Sequence, residues 1–172
     1  TGTATIFDDG TGLVYDGSVT GSDANTSTTG LDNDLSIAIT ASTPVNEAST
    51  YAMFAVTATS GSALTLGLTG SGSPQATTTG FTYEFTTKLD AGAGSTDWTT
   101  YSANDTPVAP GTLGSGTSVV HVRVNISTEA DTTYEGAETF TNTATLSAGA
   151  TSPLSAAAQA TIIDDGTGSR YD

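Results

Sequence analysis

The sequence predicts an all-β chain, folded as an antiparallel β-sandwich of about seven short strands. Three observations carry that expectation. Thr makes up about a fifth of the 172 residues and Gly contributes 20, so β-branched and small residues stand where helix formers would be needed. Apolar residues recur with a period of two, most clearly Val120, Val122, Val124 and Ile126 alternating with His121, Arg123 and Asn125. Turn residues, mainly Gly, Ser and Pro, separate these runs at short intervals.

Taken in order, residues 10–34 are rich in Gly, Ser, Thr, Asn and Asp, carry no apolar period, and read as a linker or long loop. Strands are then expected over 35–40, 51–59, 63–69, 81–88, 119–127, 139–146 and 157–163. Phe81, Tyr83 and Phe85 repeat the alternation seen around Val122. Residues 69–79 and 91–95 form Gly- and Ser-rich turns, and Pro107 and Pro110 interrupt a longer connection between 91 and 118.

Charge narrows the function classes. Eighteen Asp plus Glu face three Lys plus Arg, giving a formal net charge of −15. No basic cluster is present to neutralise phosphates or hold an anionic bilayer, so nucleic acid and membrane surfaces are set aside as partners. No stretch has the roughly 18 to 20 apolar residues needed to span a bilayer, and residues 1–34 show neither a basic n-region nor an apolar h-region. Any export signal is expected elsewhere in a longer polypeptide. The chain contains no Cys, so disulfides and thiolate zinc sites are excluded, and His121 is its one soft ligand. The acids therefore favour a hard cation, Ca²⁺, over transition metals.

The two ends repeat one another. Ala4-Thr5-Ile6-Phe7-Asp8-Asp9-Gly10-Thr11-Gly12 recurs as Ala160-Thr161-Ile162-Ile163-Asp164-Asp165-Gly166-Thr167-Gly168, and Tyr15-Asp16 recurs as Tyr171-Asp172, at a constant offset of 156. Ten of these thirteen positions are identical without a gap. The chain reads as one period of a tandem array: residues 1–34 are the tail of a preceding unit plus linker, 35–165 the main unit, and 166–172 the start of the next linker.

About thirteen of the eighteen acids cluster. Asp8, Asp9, Asp16, Asp23, Asp32 and Asp34 precede the first expected strand; Glu129, Asp131, Glu135 and Glu138 share ten residues; Asp164, Asp165 and Asp172 follow the last. In a sandwich the loop after Ile126, the end of the last strand and the start of the first strand can meet at one pole, and this is the expectation. Like charges about 4 Å apart repel by about 4 kcal/mol at an effective dielectric of 20, so either the loops stay splayed or a cation binds.

Val45-Asn46-Glu47, Ser95-Thr96-Asp97-Trp98, the stretch from Ile126 to Phe140, and the closing Ala160-Thr161-Ile162-Ile163-Asp164-Asp165 occur in the order of the landmarks of a Calx-β domain. The chain resembles that family over about residues 35–165, and also resembles the immunoglobulin-like extender repeats of giant bacterial RTX adhesins. The resemblance implies an immunoglobulin-like, calcium-binding sandwich in a secreted protein of the bacterial cell surface, strung with adjacent copies between an anchor and ligand-binding modules in adhesion and biofilm. Carried over to this sequence, it implies calcium ligands at Asp97, Asp131, Glu135, Asp164 and Asp165, with Asp34 or Asp32 at the start of the first strand. Junction ions would fall on Asp8, Asp9 and Asp16 and on their equivalents Asp164, Asp165 and Asp172. Ala130 and Gly166 stand where the family often has further aspartates, which implies fewer ions than in its richest members. Glu47 is equally compatible with a ligand and with a structural strand-edge residue.

Catalytic motifs are lacking. His121 lies on the strand face opposite the valines, no Cys nucleophile or Gly-x-Ser-x-Gly elbow occurs, and Lys88 follows no phosphate-cradling loop. Asp32-Asn33-Asp34 opens like an EF-hand loop, but Ile37 and Thr43 replace its Gly and bidentate Glu. No pair of carboxylates is placed for glycoside hydrolysis. A non-enzymatic role is expected: a spacer folded and stiffened by calcium, or alternatively a glycan- or peptide-binding module using Trp98, Tyr101, Tyr83 and Phe81.

Overall fold

The computed structural model describes residues 2, 35–42, 44–71, 78, 80–88, 96–102, 105–111, 116–146, 154–164 and 166. The described residues form nine strands and no helix, in two layers: β1 (Ile37–Ser42), β2 (Val45–Asn46), β3 (Tyr51–Thr59), β4 (Leu64–Ser71), β5 (Thr82–Thr86), β6 (Thr99–Thr100), β7 (Thr117–Asn125), β8 (Glu138–Leu146) and β9 (Ser155–Ile163). One sheet has the order β1-β3-β7-β5-β6 and the other β2-β9-β8-β4. The chain is a β-sandwich, as the alternation in the sequence predicts, with the immunoglobulin-like arrangement that the resemblance implies.

Two features differ from the expectation. The seven expected strands are all present with ends shifted by up to a few residues, and β2 and β6 are added, each two residues long and too short to leave a periodic trace. The sandwich is also not wholly antiparallel, because β2 pairs with β9 in parallel, Val45 opposite Ile162 and Asn46 opposite Ile163. The cause lies at the start of the unit. β1 pairs antiparallel with β3, Pro44 supplies no N–H to continue that ladder, and the chain then joins the opposite sheet as β2. One continuous segment thereby closes the edges of both layers.

Period-two patterning builds the core. Ala52, Phe54, Val56 and Ala58 of β3 and Val120, Val122 and Val124 of β7 point inward from one sheet, and Phe140, Ala144 and Leu146 of β8 with Ala160 and Ile162 of β9 point inward from the other. The two layers meet at Phe140, whose ring lies edge-on to Phe54 at 5.9 Å and to Phe81 at 5.3 Å between centroids. Burying one such ring contributes about 1.5–3 kcal/mol.

β7, β8 and β9 also set the ends of the molecule. Asn125 of β7, Glu138 of β8 and Ile163 of β9 lie at one end together with Glu47, whose N–H donates to the carbonyl of Ile163. The chain leaves the sandwich at this end, after Asp164. The start of β1, the turn at 60–62, Leu146 and Leu154 lie at the other, where the Leu146 N–H donates to the Leu154 carbonyl.

Candidate metal centre

Six of the acids gather at the exit end: Glu47 after β2, Glu129, Asp131 and Glu135 between β7 and β8, Glu138 opening β8, and Asp164 closing β9. The loop from 126 to 137 is bound to the end of β9 through one side chain. Asp164 Oδ2 accepts the N–H of Glu135 and, at 3.2 Å, that of Gly136, while Oδ1 accepts the Gly166 N–H at 2.5 Å. Glu47 adds a side-chain hydrogen bond to the same carboxyl. The Glu135 amide, with the Gly166, Glu47 and Gly136 contacts behind it, holds Asp164 below the usual carboxylate range against the opposing effect of burial. Asp164 is thus an anchor saturated by backbone amides, at 8% exposure, and Glu47 beside it is 2% exposed.

Glu129 and Glu138 form a second carboxyl pair. Their side chains are hydrogen-bonded, and Glu129 is pushed up to about 7, first by burial, then by the contact with Glu138 and the charges of Glu138, Glu135 and Asp131. Glu138 is also raised, by burial and by Glu135 and Asp164, with its bond to Glu129 working the other way. Two carboxyls at hydrogen-bond distance require either a proton between them or a cation. The donors are all oxygen, the chemistry a hard cation takes, but among the described residues no three acidic or histidine side chains converge on one point.

The other expected ligands divide as follows. Asp131 is exposed and its Oδ1 accepts the Thr133 N–H at 2.6 Å; the Glu135 side chain is exposed, and only its backbone enters the anchor. Asp97 does not join this end. It pairs with Lys88 just before β6, and the register of β5 with β6 and β7 places it about half the length of β7 away from Asn125. The sequence order that put Asp97 in the set carries no information on which end of the sandwich its loop faces. Asp8, Asp9, Asp16, Asp32, Asp34, Asp165 and Asp172 lie outside the described residues. Glu47, which the sequence leaves open between ligand and strand-edge residue, and the Glu129–Glu138 pair, outside the implied ligand set, are central to this end. Their signal was present for Glu129 and Glu138 in the density of acids, and for Glu47 in its place directly after a strand.

The aromatic residues considered for a ligand platform are engaged inside the fold. Arg123 of β7 lies between the rings of Tyr51, at 4.1 Å, and Trp98, at 4.4 Å, with Nε 2.5 Å from Glu84 Oε2. The Tyr101 hydroxyl accepts the Leu66 N–H at 2.9 Å, and the Tyr83 hydroxyl donates to Asn142 Oδ1 at 3.2 Å. Phe81 packs on Phe140.

No protein-family model and no curated protein matches the chain. Among solved structures, AggA, the major subunit of aggregative adherence fimbriae type I from Escherichia coli, is similar over 77% of this chain and 96% of that one, with 15% identity and a TM-score of 0.35.

Proposed function

We propose that the chain is a non-catalytic spacer repeat of a large secreted adhesin on a bacterial cell surface, folded and stiffened by Ca²⁺ bound at the exit end and in the adjoining linkers. One observation carries this reading: a sandwich bracketed by a thirteen-residue stretch that recurs at an offset of 156 has six of its described carboxylates concentrated at the end where the chain leaves it after Asp164. A cation there would relieve the Glu129–Glu138 and Glu47–Asp164 contacts, and the flanking Asp165 would supply further oxygens. Ions that bind only the folded form stabilise it by about 2.7 kcal/mol per site at 100 times the dissociation constant. Extracellular modules with dissociation constants of about 10⁻⁴ to 10⁻³ M are filled outside the cell and empty in the cytosol, which suits export as a loose chain.

Calorimetry of the chain in EDTA and in millimolar Ca²⁺ tests the reading. A rise in melting temperature with Ca²⁺, not reproduced by Mg²⁺, is expected. Coincident melting curves would overturn it. The glycan- or peptide-binding alternative has no observation in its favour, since Trp98, Tyr101, Tyr83 and Phe81 are spent on contacts within the sandwich.

A further inference from the structure

Three Asn-x-Ser/Thr triplets occur in the chain: Asn25-Thr26-Ser27, Asn104-Asp105-Thr106 and Asn125-Ile126-Ser127. In a sequence this rich in Thr and Ser the triplet alone carries little weight, and Asn25 and Asn104 lie outside the described residues. Geometry singles out the third. The described asparagines are Asn46, Asn125 and Asn142, and the side-chain nitrogens of Asn46 and Asn142 are enclosed in the protein. Asn125 Nδ2 is not enclosed, and it donates no hydrogen bond among the described residues.

The fold presents this triplet in a fixed shape. Asn125 is the last residue of β7, paired with Tyr51 of β3 and Thr82 of β5, and its side chain stands on the outer face of the five-stranded sheet, opposite to the buried Val124. Ile126 turns into the core, fully buried, while its N–H donates to the Thr50 carbonyl and its carbonyl accepts the Glu129 N–H, both at 3.0 Å. Ser127 is exposed, and both its N–H, at 3.0 Å, and its hydroxyl, at 2.6 Å, donate to Asn125 Oδ1. Two hydrogen bonds received by Oδ1 draw electron density from Nδ2 and make its N–H bonds easier to deprotonate. They also fix the carboxamide so that its nitrogen is the free end.

We propose that Asn125 is an N-glycosylation site, the acceptor of a sugar delivered by a glycosyl pyrophosphate donor. In the transfer Nδ2 forms a bond to the anomeric carbon and the bond from that carbon to the phosphate oxygen breaks. The pyrophosphate leaves with the bonding electrons, and one Nδ2 proton passes to a base of the transferase. The inference rests on the reading of the chain as an exported surface module, the setting in which this triplet is glycosylated. Position gives the sugar a role. Ser127 opens the loop that carries Glu129, Asp131 and Glu135, so the sugar stands beside the acidic exit end. Charge there keeps copies apart only within the screening length, about 8 Å at physiological ionic strength, and bound Ca²⁺ cancels part of it. A hydrated sugar adds bulk that neither salt nor calcium removes.

Trypsin cuts after Lys88, Arg123 and Arg170, so fragment 124–170 contains Asn125 and no other such triplet, while fragments 1–88 and 89–123 hold one each. The chain, collected from the surface of the cells that produce it, is expected to yield fragment 124–170 heavier by the mass of one or more sugar residues, placed on Asn125 by tandem mass spectrometry. The added mass should be lost in Asn125→Gln and in Ser127→Ala and kept in Ser127→Thr, which preserves the hydroxyl, with the melting temperature unchanged in all three. An unmodified fragment 124–170, or an added mass indifferent to Ser127→Ala, would overturn the assignment whatever the other two fragments carry. An unmodified surface chain whose melting still depends on Ca²⁺ leaves the spacer reading standing; a chain that never reaches the surface removes that reading and the glycosylation with it.

Discussion

The carboxyl groups of Glu47 and Asp164 share a hydrogen bond although the residues are 2% and 8% exposed. Asp164 is held ionised by the amides of Glu135, Gly136 and Gly166, so Glu47 meets a carboxylate in a buried setting and must bring a proton or share a cation. Glu47→Gln keeps a donor for Asp164 and removes that requirement. In EDTA the Gln variant should melt at or above the temperature of the parent chain, and the increment gained from millimolar Ca²⁺ should shrink. Calorimetry in both buffers checks this; a Gln variant with an undiminished calcium increment would show that Glu47 takes no part in the ion's site.

The second pair predicts a pH dependence. Glu129 keeps its proton up to about pH 7 in the folded chain but only to about 4.5 at its ordinary value, so between these limits the folded form binds more protons than the unfolded one. On this account stability falls as pH rises from about 4.5 to 7. Asp164 acts in the opposite sense: its lowered value contributes stability above the ordinary 3.8 that is lost as pH falls through the folded value. In EDTA the melting temperature should therefore be highest near pH 5 and decline on both sides. Glu129→Gln should flatten the upper limb and raise the melting temperature at pH 8 by roughly 2–4 °C, the partial exposure of Glu129 limiting the effect. A parent chain with a flat profile from pH 5 to 8 in EDTA would contradict the pairing.

Much of the sandwich was legible because its physics is local. Val120 to Ile126 and Tyr51 to Thr59 alternate cleanly, since one face of each strand is buried and a slip of one residue would expose all of it. The parallel pairing of Val45 and Asn46 with Ile162 and Ile163 was not, because two residues carry no period and their partner lies more than a hundred positions away. The acidic exit end was legible as density, from Glu129 to Glu138. Its organisation was not: that Asp164 spends its oxygens on amides, and that Asp97 turns to Lys88, depends on which loops the sheet order brings together.

Arg123 depends on its neighbours for a stable charge in a nearly buried position. With Glu84 beside it and the rings of Tyr51 and Trp98 against its guanidinium, hydration is replaced by a charge-assisted bond to Glu84 and cation–π contacts with both rings. Trp98→Ala should destabilise the fold by about 0.5–2 kcal/mol. Arg123→Met leaves Glu84 without its partner and should cost more, about 3 kcal/mol. Urea melts followed by circular dichroism measure both. Equal losses would mean that Trp98 contributes as much as the whole ion pair.

Tyr83 and Asn142 test the polar content of the core in the same way. Asn142 is fully buried, its Oδ1 accepts the Tyr83 hydroxyl at 3.2 Å, and its Nδ2 has no partner among the described residues. Burial, with a smaller contribution from Tyr101, raises the Tyr83 phenol above its usual range, so it stays a donor at any pH the fold survives. Tyr83→Phe removes the one bond made by the Asn142 side chain and strands a buried amide, an expected loss of about 1–3 kcal/mol. Asn142→Leu removes the amide but strands the hydroxyl. The double variant Tyr83→Phe/Asn142→Leu leaves neither group unpaired and should be more stable than either single variant. Denaturant melts of all four chains give the coupling directly; a double variant as unstable as the sum of the two would mean that the sandwich cannot accept an apolar side chain at Asn142 and that the site is limited by volume rather than by hydrogen bonding.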